Sequence, residues 1–492
     1  MHMSSSDFAI VILAAGKGTR LRSNRAKVLH RAGGRTLMEH VVRACQPLGA
    51  KKIFAVVGHQ ADDVRAALEP LGVEAVLQQP QHGTGHALLV ARRAIGNRVK
   101  HVLVLPGDAP LIGGGTLRSL LQTHRNANAA ATILTAIVEN PAGYGRILRK
   151  SGSTVAAIVE ESQLSEEQRT INEINSSMYC FALDKLWPAL ARLKPNNTHR
   201  ELYLTDVIAV LSQQGDTVLA QVAADAQEVL GCNTRAELGE VDRIFRTRKS
   251  AALMEAGVTI RLPESVVIDP DVQAGEDTLI ESCVQLLGKT RIGARCTIRT
   301  GSLLTDAQLA DGVTIEPYSV IASSRIDSGA VVGPFARLRP DNHVRAGAHI
   351  GNFVELKKTV MGEGTKANHL AYLGDARIGR NTNIGAGTIT CNYDGVAKHS
   401  TTIGNRVFIG TDSALVAPVR IGDGAYVAAG SVITENVPAD ALAIARGRQA
   451  NKPNWAAKRR RELAAAEKPK KPRRAKSRAR RKSRPRKSAR RR

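Results

Sequence analysis

Six cysteines in 492 residues, at positions 45, 180, 232, 283, 296 and 391, form no CxxC pair and no Cys/His metal spacing. A disulfide scaffold and a zinc module are excluded, and a reducing, cytoplasmic setting fits. No apolar run approaches the roughly 20 residues that a membrane-crossing helix needs, so a soluble protein is expected. Met1 to Asp7 bring no basic n-region, and the run Phe8 to Ala15 breaks at Gly16. It reads as a buried strand rather than a secretory signal. Acidic residues are nearly absent from the C-terminal end: from Trp455 onward only Glu462 and Glu467 face twenty Lys/Arg, so +18 of the net +26 lies there. The remaining +8 is spread over 454 residues, which argues against a fold-wide nucleic-acid surface. Residues 447–492 read as a basic, largely disordered tail, because Lys468 to Arg492 consist of Lys, Arg, Pro, Ser and Ala alone. Such a tail is either simply solvated or available to an anionic partner.

What is present divides the rest of the chain. In residues 1–233, β-branched runs (Phe8 to Leu13, Ile53 to Val57, Val73 to Leu77, His101 to Leu105, Ala131 to Val138) alternate with helix-length segments. Strands apolar on both faces, so spaced, predict an α/β domain with a mostly parallel sheet. Residues 234–257 are charged and rich in Ala, Leu and Arg, and predict a linker helix. In residues 258–446 the period becomes six. Aliphatic positions recur at Ile268, Ala274, Ile280, Leu286, Ile292, Ile298 and Leu304, then in a second phase from Val320 to Leu356. A third phase holds Tyr372, Ile378 and Ile384, and a fourth runs from Ile403 to Ile433. Short strands with tight corners and one inward aliphatic per side predict a parallel β-helix rather than a sandwich. Extra residues in a solenoid are extruded as loops. Two are expected, one between Leu356 and Tyr372 and one between Thr390 and Ile403.

The first strand runs into Leu13-Ala14-Ala15-Gly16-Lys17-Gly18-Thr19-Arg20, with Lys27 following. Small residues let backbone N–H groups approach an anion, and the cations neutralise a polyphosphate. The GxGxxG fingerprint fails because its third glycine falls at Leu21, no GxxxxGK[ST] occurs, and Gly288-Lys289-Thr290 reads as a corner of the repeat.

LAAGKGTR with its following lysine resembles the signature of the sugar-phosphate nucleotidyltransferases, which implies a Rossmann-like domain over residues 8–233. Joined to the hexapeptide half, it is similar to bifunctional enzymes that acetylate glucosamine 1-phosphate and then make UDP-N-acetylglucosamine from the product and UTP, for bacterial cell-wall and lipopolysaccharide precursors. The resemblance implies a left-handed β-helix, Mg²⁺ as cofactor, and acetyl-CoA and UTP as co-substrates. It assigns the uridine nucleotide to Leu13, Ala14, Ala15, Gly16, Gln78, Gly83 and Thr84, the phosphates to Arg20 and Lys27, and Mg²⁺ to Asp108 and Asn233. The sugar falls to Gly145, Glu160 and Asn175. Two departures stand out: Pro106, where relatives often carry an aromatic, and Asn175-Ser176-Ser177, where an NTG is usual.

In the second half, GPFARLRP, GNFVELKK, NHLAYLGD and NIGAGTITCNYDG resemble the acetyltransferase half of the same enzymes. His369 is the expected general base, since an imidazole can take a proton at neutral pH. Arg339, Lys357, Tyr372 and Asn383 are implied for the sugar phosphate, and Ala386, Asn392, Tyr393, Thr411, Ala429 and Arg446 for acetyl-CoA. Thr411 stands where serine is common, and Asp341-Asn342 replaces the usual glycine after Arg-Pro. A homotrimer is implied. The alternative is a single-activity nucleotidyltransferase with a non-catalytic β-helix.

Overall fold

A computed structural model of the chain describes residues 7–195 and 201–467. The N-terminal sheet begins with β1 (Phe8–Ala14), buried along almost its whole length, as an alternation-free apolar run requires. It continues with β2 (Ile53–Val57), β3 (Glu74–Leu77), β4 (His101–Pro106), β5 (Ala131–Ile137), β6 (Arg146–Ser151), β7 (Thr154–Val159), β8 (Glu173–Ala182) and β9 (Val218–Val222). The spatial order is β3-β2-β1-β4-β8-β5-β9-β7-β6. The first four strands in that order are parallel, but β8 runs antiparallel to β4 and β5, and β6 and β7 form an antiparallel pair. The sheet is therefore mixed, and its second half is less parallel than the strand spacing implied. The strand β8 carries Asn175-Ser176-Ser177 in its middle and a bulge between Asn175 and Met178, which is why its apolar signal is broken.

Helix α1 (Arg235–Glu255) follows Thr234, whose hydroxyl accepts from Glu237 N while the Glu237 carboxylate accepts from Thr234 N at 3.1 Å. Its Val241, Ile244 and Leu253 are buried, and Phe245 stacks on His40 at 3.9 Å between ring centroids. Lys249 Nζ donates to Val272 O at 2.6 Å, and Arg246 pairs with Asp269 at 3.8 Å. These bonds tie the helix to the first coil, and residues 1–444 form one compact unit, without a break in packing at 234 or 258.

From Thr259 the chain winds into three parallel sheets of eleven, ten and nine short strands, in which each strand pairs with the third one after it until the last turn, where Tyr426–Val427 pairs with Leu442–Ala443, two strands on. This is a left-handed parallel β-helix. Ile268, Ile280, Leu286, Ile298, Leu304, Ile315, Leu338, Ile350 and Leu356 are each at most 1% exposed and form its core. Two inward positions were misplaced by the six-residue period: Val320 is exposed and Ile321 buried, and Tyr372 faces outward while Leu373 is inside. One side in some coils is five residues long, as from Leu304 to Leu309, Ile321 to Ile326 and Leu356 to Met361. Each short side moves the phase by one residue without extruding anything. The expected loop between Leu356 and Tyr372 therefore does not exist: the stretch holds regular strands at Val360–Met361 and Lys366–His369. The loop between Thr390 and Ile403 is real. Thr390 and Leu415 are register partners 25 residues apart, against 18 for Leu338 and Leu356.

Corners adopt left-handed backbone at Phe335, Asp341, Phe353, Lys358, Leu370 and Asp375 among others. Asp341 has φ of 69°, so a glycine would be at ease there. Its neighbour Asn342 is buried, donates to Ser324 Oγ at 3.2 Å and accepts from Thr359 N at 3.0 Å, which adds polar stitching between coils.

The residues from Ala445 form a second unit. Its described part includes a helix at Trp455–Ala466 with no buried residue, where disorder had been expected; Ala, Arg, Glu and Leu are strong helix formers. Lys468 to Arg492 lie outside the described residues.

Leu356→Ala should destabilise the coil by about 2–5 kcal/mol, since the side chain is fully enclosed by its neighbours. A fall in the urea midpoint checks this. An unchanged midpoint would mean that the coil relaxes into the vacated space.

Candidate active site

Beyond the C-terminal end of β1, the loop to Arg20 is shaped by glycine. Gly18 takes φ of 61°, and a Cβ on it would stand 2.7 Å from Lys27 Cβ. Only glycine lets Lys27 pass this close. Lys27 Nζ donates to Asn233 Oδ1 at 2.6 Å and is ion-paired with Asp108, while Arg20 Nη2 donates to the same Asn233 oxygen at 2.7 Å. Four of the expected residues, from three separate parts of the chain, thus meet at one point. Their placement is enforced from behind: Cys232 N donates to Asp108 O at 2.9 Å, and Asn233 N donates to Glu237 Oε2 at 2.5 Å. The capping carboxylate of α1 therefore also fixes Asn233.

Gln78 is buried, and its amide donates to Gly83 O at 3.0 Å, so it holds the QHGTG turn. Gly83 has φ of 91°, and a Cβ there would meet Leu202 O at 2.6 Å. Thr84 Oγ1 accepts from Leu204 N at 3.0 Å. Leu13, Arg20, Thr84, Glu160, Ser177 and Thr205 contribute to a cleft of about 630 Å³. It adjoins, through Gly143, Glu160 and Ser177, a smaller one of about 200 Å³ lined by Pro106, Asp108, Gly145, Asn175 and Asn233. Glu160 accepts from Thr205 Oγ1 at 3.0 Å, and its burial raises its carboxyl above the ordinary range against the pull of that bond. Asn175 Nδ2 donates to the Tyr179 hydroxyl at 2.9 Å, and its oxygen accepts from Ser177 N at 3.1 Å. Ser177 itself adopts φ of 61°, a conformation in which the usual glycine of that motif carries no Cβ penalty.

In the coil, parallel register stacks the second set. His369 partners Asn352, and the same rung lies two residues beyond the paired Ile384, Ile409 and Val427, at Ala386, Thr411 and Ala429. Asp412 N donates to Ala386 O at 2.7 Å and Gly430 N to Thr411 O at 2.7 Å, which keeps this corner column in line. His369 is exposed at the end of its strand, at a corner rather than on an extruded loop. On the adjoining sheet, Arg339 Nη1 donates to Glu355 Oε1 at 3.3 Å, and Glu355 is the register partner of Tyr372. Lys357 is largely buried and pairs with Asp375 at 3.5 Å. Asn392 Nδ2 donates to Asp375 Oδ2 at 2.5 Å, and Tyr393 is exposed. Asn383 stands apart from this group, in the row Lys366, Asn383, Phe408 of the His369 sheet. Arg446 belongs to the second unit.

Residues 10–206 match the MobA-like NTP transferase domain, and residues 400–435 match the bacterial transferase hexapeptide of six repeats. The Bifunctional protein GlmU of Koribacter versatilis is 50% identical over 92% of this chain and 98% of its own. That of Solibacter usitatus is 51% identical over 94% and 99%, and that of Pelobacter propionicus 46% identical over 91% and 97%. The chain belongs to the GlmU family. Membership makes it a transferase with two activities, a nucleotidyltransferase half and an acyltransferase half.

Against this GlmU frame, several residues at the two sites escaped the sequence reading. Gln81 Nε2 donates to Ala15 O at 2.8 Å and pins the phosphate loop; it stands beside the glycines of QHGTG without a signal of its own. Lys398, from the extruded loop, lies against Lys357; that contact pushes Lys398 below its ordinary range, while Lys357 is raised, with the Asp375 carboxylate adding to the rise. Asp375 closes the NHLAYLGD stretch without a signal of its own.

Glu160 gives a pH prediction. A carboxyl raised on folding lends stability that is fully present below its unfolded pKa and lost as pH rises through the folded value. Glu160→Gln should therefore raise the melting temperature at neutral pH, with the difference closing near about pH 4. Melting scans across that range check it, and an equal or lower melting temperature at neutral pH would refute it.

Proposed function

We propose that this chain transfers acetyl from acetyl-CoA to glucosamine 1-phosphate, and then uridylyl from UTP to N-acetylglucosamine 1-phosphate. The observation that carries the reading is the convergence of Arg20 and Lys27 on Asp108 and Asn233, beside a cleft wide enough for a nucleotide, in a chain whose other half sets His369 in register with Asn352 at a corner of the β-helix.

In the uridylyl half the sugar phosphate oxygen attacks the α-phosphorus of UTP and the bond to pyrophosphate breaks. Arg20 and Lys27 offset the charge that grows on the leaving group, and the main-chain loop Leu13 to Gly16 with Gln78, Gly83 and Thr84 holds the nucleotide. Glu160, Asn175 and Gly145 line the smaller cleft, where sugar hydroxyls and the acetamido group would be read. Asp108 and Asn233 offer two hard oxygens within reach of one ammonium group, and that donor set suits Mg²⁺, which binds few protein ligands and completes its shell with phosphate and water. Bound there, the ion would supply further charge neutralisation.

In the acetyl half His369 takes the proton from the sugar amine as its nitrogen attacks the thioester carbonyl, and CoA thiolate departs. Arg339, Lys357 and Lys398 answer the sugar's phosphate. Asn392, Tyr393 and the column Ala386, Thr411, Ala429 line the acyl-donor side. A homotrimer fits two features. The acetyl-site residues are divided between two sheets of the β-helix, with Asn383 on the His369 sheet, an arrangement that a site shared between copies would bring together. An exposed ladder of Tyr318, Phe335 and Phe353, with ring spacings of 5.4 and 5.6 Å, ends beside His369 at exposed Leu370 and calls for cover. The free thiols and the lack of a long apolar helix among the described residues accord with the cytoplasm.

The test is incubation with glucosamine 1-phosphate, acetyl-CoA, UTP and Mg²⁺, each omitted in turn, with UDP-N-acetylglucosamine as readout. His369→Ala should cut acetyl transfer by about 10²–10⁴-fold and leave uridylyl transfer intact. Acetyl transfer that survives the substitution would favour a β-helix whose chemistry lies elsewhere.

The tail beyond Ala466 is proposed to serve an anionic partner outside catalysis. Removing residues 468–492 should leave both activities unchanged and abolish salt-sensitive retention on a polyanion matrix. A large loss in either reaction would assign the tail to the enzyme proper.

A further inference from the structure

The acetyl half contains one carboxylate that touches both a residue proposed above for the sugar phosphate and a residue proposed for the acyl donor. Asp375 sits at a coil corner with φ of 50°, and its main chain is held on both sides: its N–H donates to Lys357 O at 2.9 Å, and its carbonyl accepts from Thr401 N at 3.2 Å. Thr401 is the residue at which the chain re-enters the coil after the extruded loop. The corner is therefore rigid, and the loop closes upon it. From this anchor, Oδ2 of Asp375 accepts from Asn392 Nδ2 at 2.5 Å and lies 3.5 Å from Lys357 Nζ. Lys357 and Asn392 are themselves 9% and 7% exposed, so neither has water enough to replace a lost partner.

We propose that Asp375 is a positioning residue that couples the two substrates of acetyl transfer: one carboxylate oxygen orients the ammonium that meets the sugar phosphate and the amide that meets the acyl donor. The proposal rests on the assignment of Lys357 and Asn392 to those two pockets given above. Its physical basis is the shared atom. Without the charge, the Lys357 head is free to swing among its rotamers and away from Lys398, and the Asn392 amide loses the acceptor that decides which of its ends faces the acyl donor. A residue with a merely local role would disturb one pocket.

The experiment measures KM for glucosamine 1-phosphate and for acetyl-CoA on the full chain, with uridylyl transfer as the control for folding. Asp375→Asn, which keeps the shape and removes the charge, should raise both KM values about threefold or more while kcat falls less, and Asp375→Glu should recover part of the loss. Lys357→Met should raise KM for acetyl-CoA as well as for the sugar phosphate, because it leaves the shared carboxylate uncompensated. A rise in one KM alone, or in neither, for Asp375→Asn overturns the proposal. If Asp375→Asn also loses uridylyl transfer and so fails to fold, the pair Lys357→Met and Asn392→Ala decides: effects that multiply independently overturn it, and effects that do not multiply support it. If instead Lys357→Met and Asn392→Ala each leave both KM values unchanged, the pocket assignment itself has failed, a result distinct from the loss of coupling.

Discussion

Parallel register is the constraint on which the C-terminal half depends. Each strand is only two to four residues long and would be worthless alone; what holds it is the main-chain pairing with the strand one coil above and one coil below. That same pairing decides which side chains become neighbours. Once Ile350, Ala367, Ile384, Ile409 and Val427 share an inward row, the positions two residues on must share an outward corner. His369, Ala386, Thr411 and Ala429 are therefore aligned by the core and not by contacts among themselves. A site built in this way gains its geometry from hydrophobic packing several ångströms behind it.

The N-terminal site is constructed differently. There a sheet delivers loops at its strand ends, and individual polar bonds do the aligning: Glu237 caps a helix and in the same act fixes Asn233, Cys232 hangs from Asp108, and Gln81 pins Ala15. Lys27, lodged between Asp108 and Asn233, keeps their oxygens neutralised and close. The helix capped by Thr234 also joins the halves, through Lys249 and Arg246, so a cap, a ligand set and a domain junction are served by one helix.

The legibility of these features in the sequence follows their physics. The buried strands of the N-terminal sheet and the hexad were plain because burial selects aliphatic residues at a fixed spacing. Glycines at 18 and 83 were plain because close approach and a positive φ admit nothing larger. The strands after Ile137 carry no continuous apolar run, since one is bulged around polar residues and the other three leave several residues partly or fully exposed. The phase of the coil was misread where small or polar residues, Ala367 and Thr390, fill inward positions, and a five-residue side was taken for an insertion. Lys398 and Asp375 were invisible as partners because nothing in a linear text says that the extruded loop folds back onto a neighbouring corner.

The five-residue and six-residue sides have an evolutionary corollary. A full turn returns the chain to its starting column after 17 residues, as from Leu304 to Ile321, or after 18, as from Leu338 to Leu356. Loss or gain of a whole turn leaves every other column intact and merely changes the length of the prism. Single-residue changes are tolerated at the side that already varies between five and six, and punished at the others, where they would turn the aliphatic row outward. Length variation in such a domain is thus quantised, and the segment from Asn392 to Ser400 is the largest step outside that arithmetic, beside a first turn of 20 residues from Ile260 to Ile280 and a last of 16 from Val427 to Ala443.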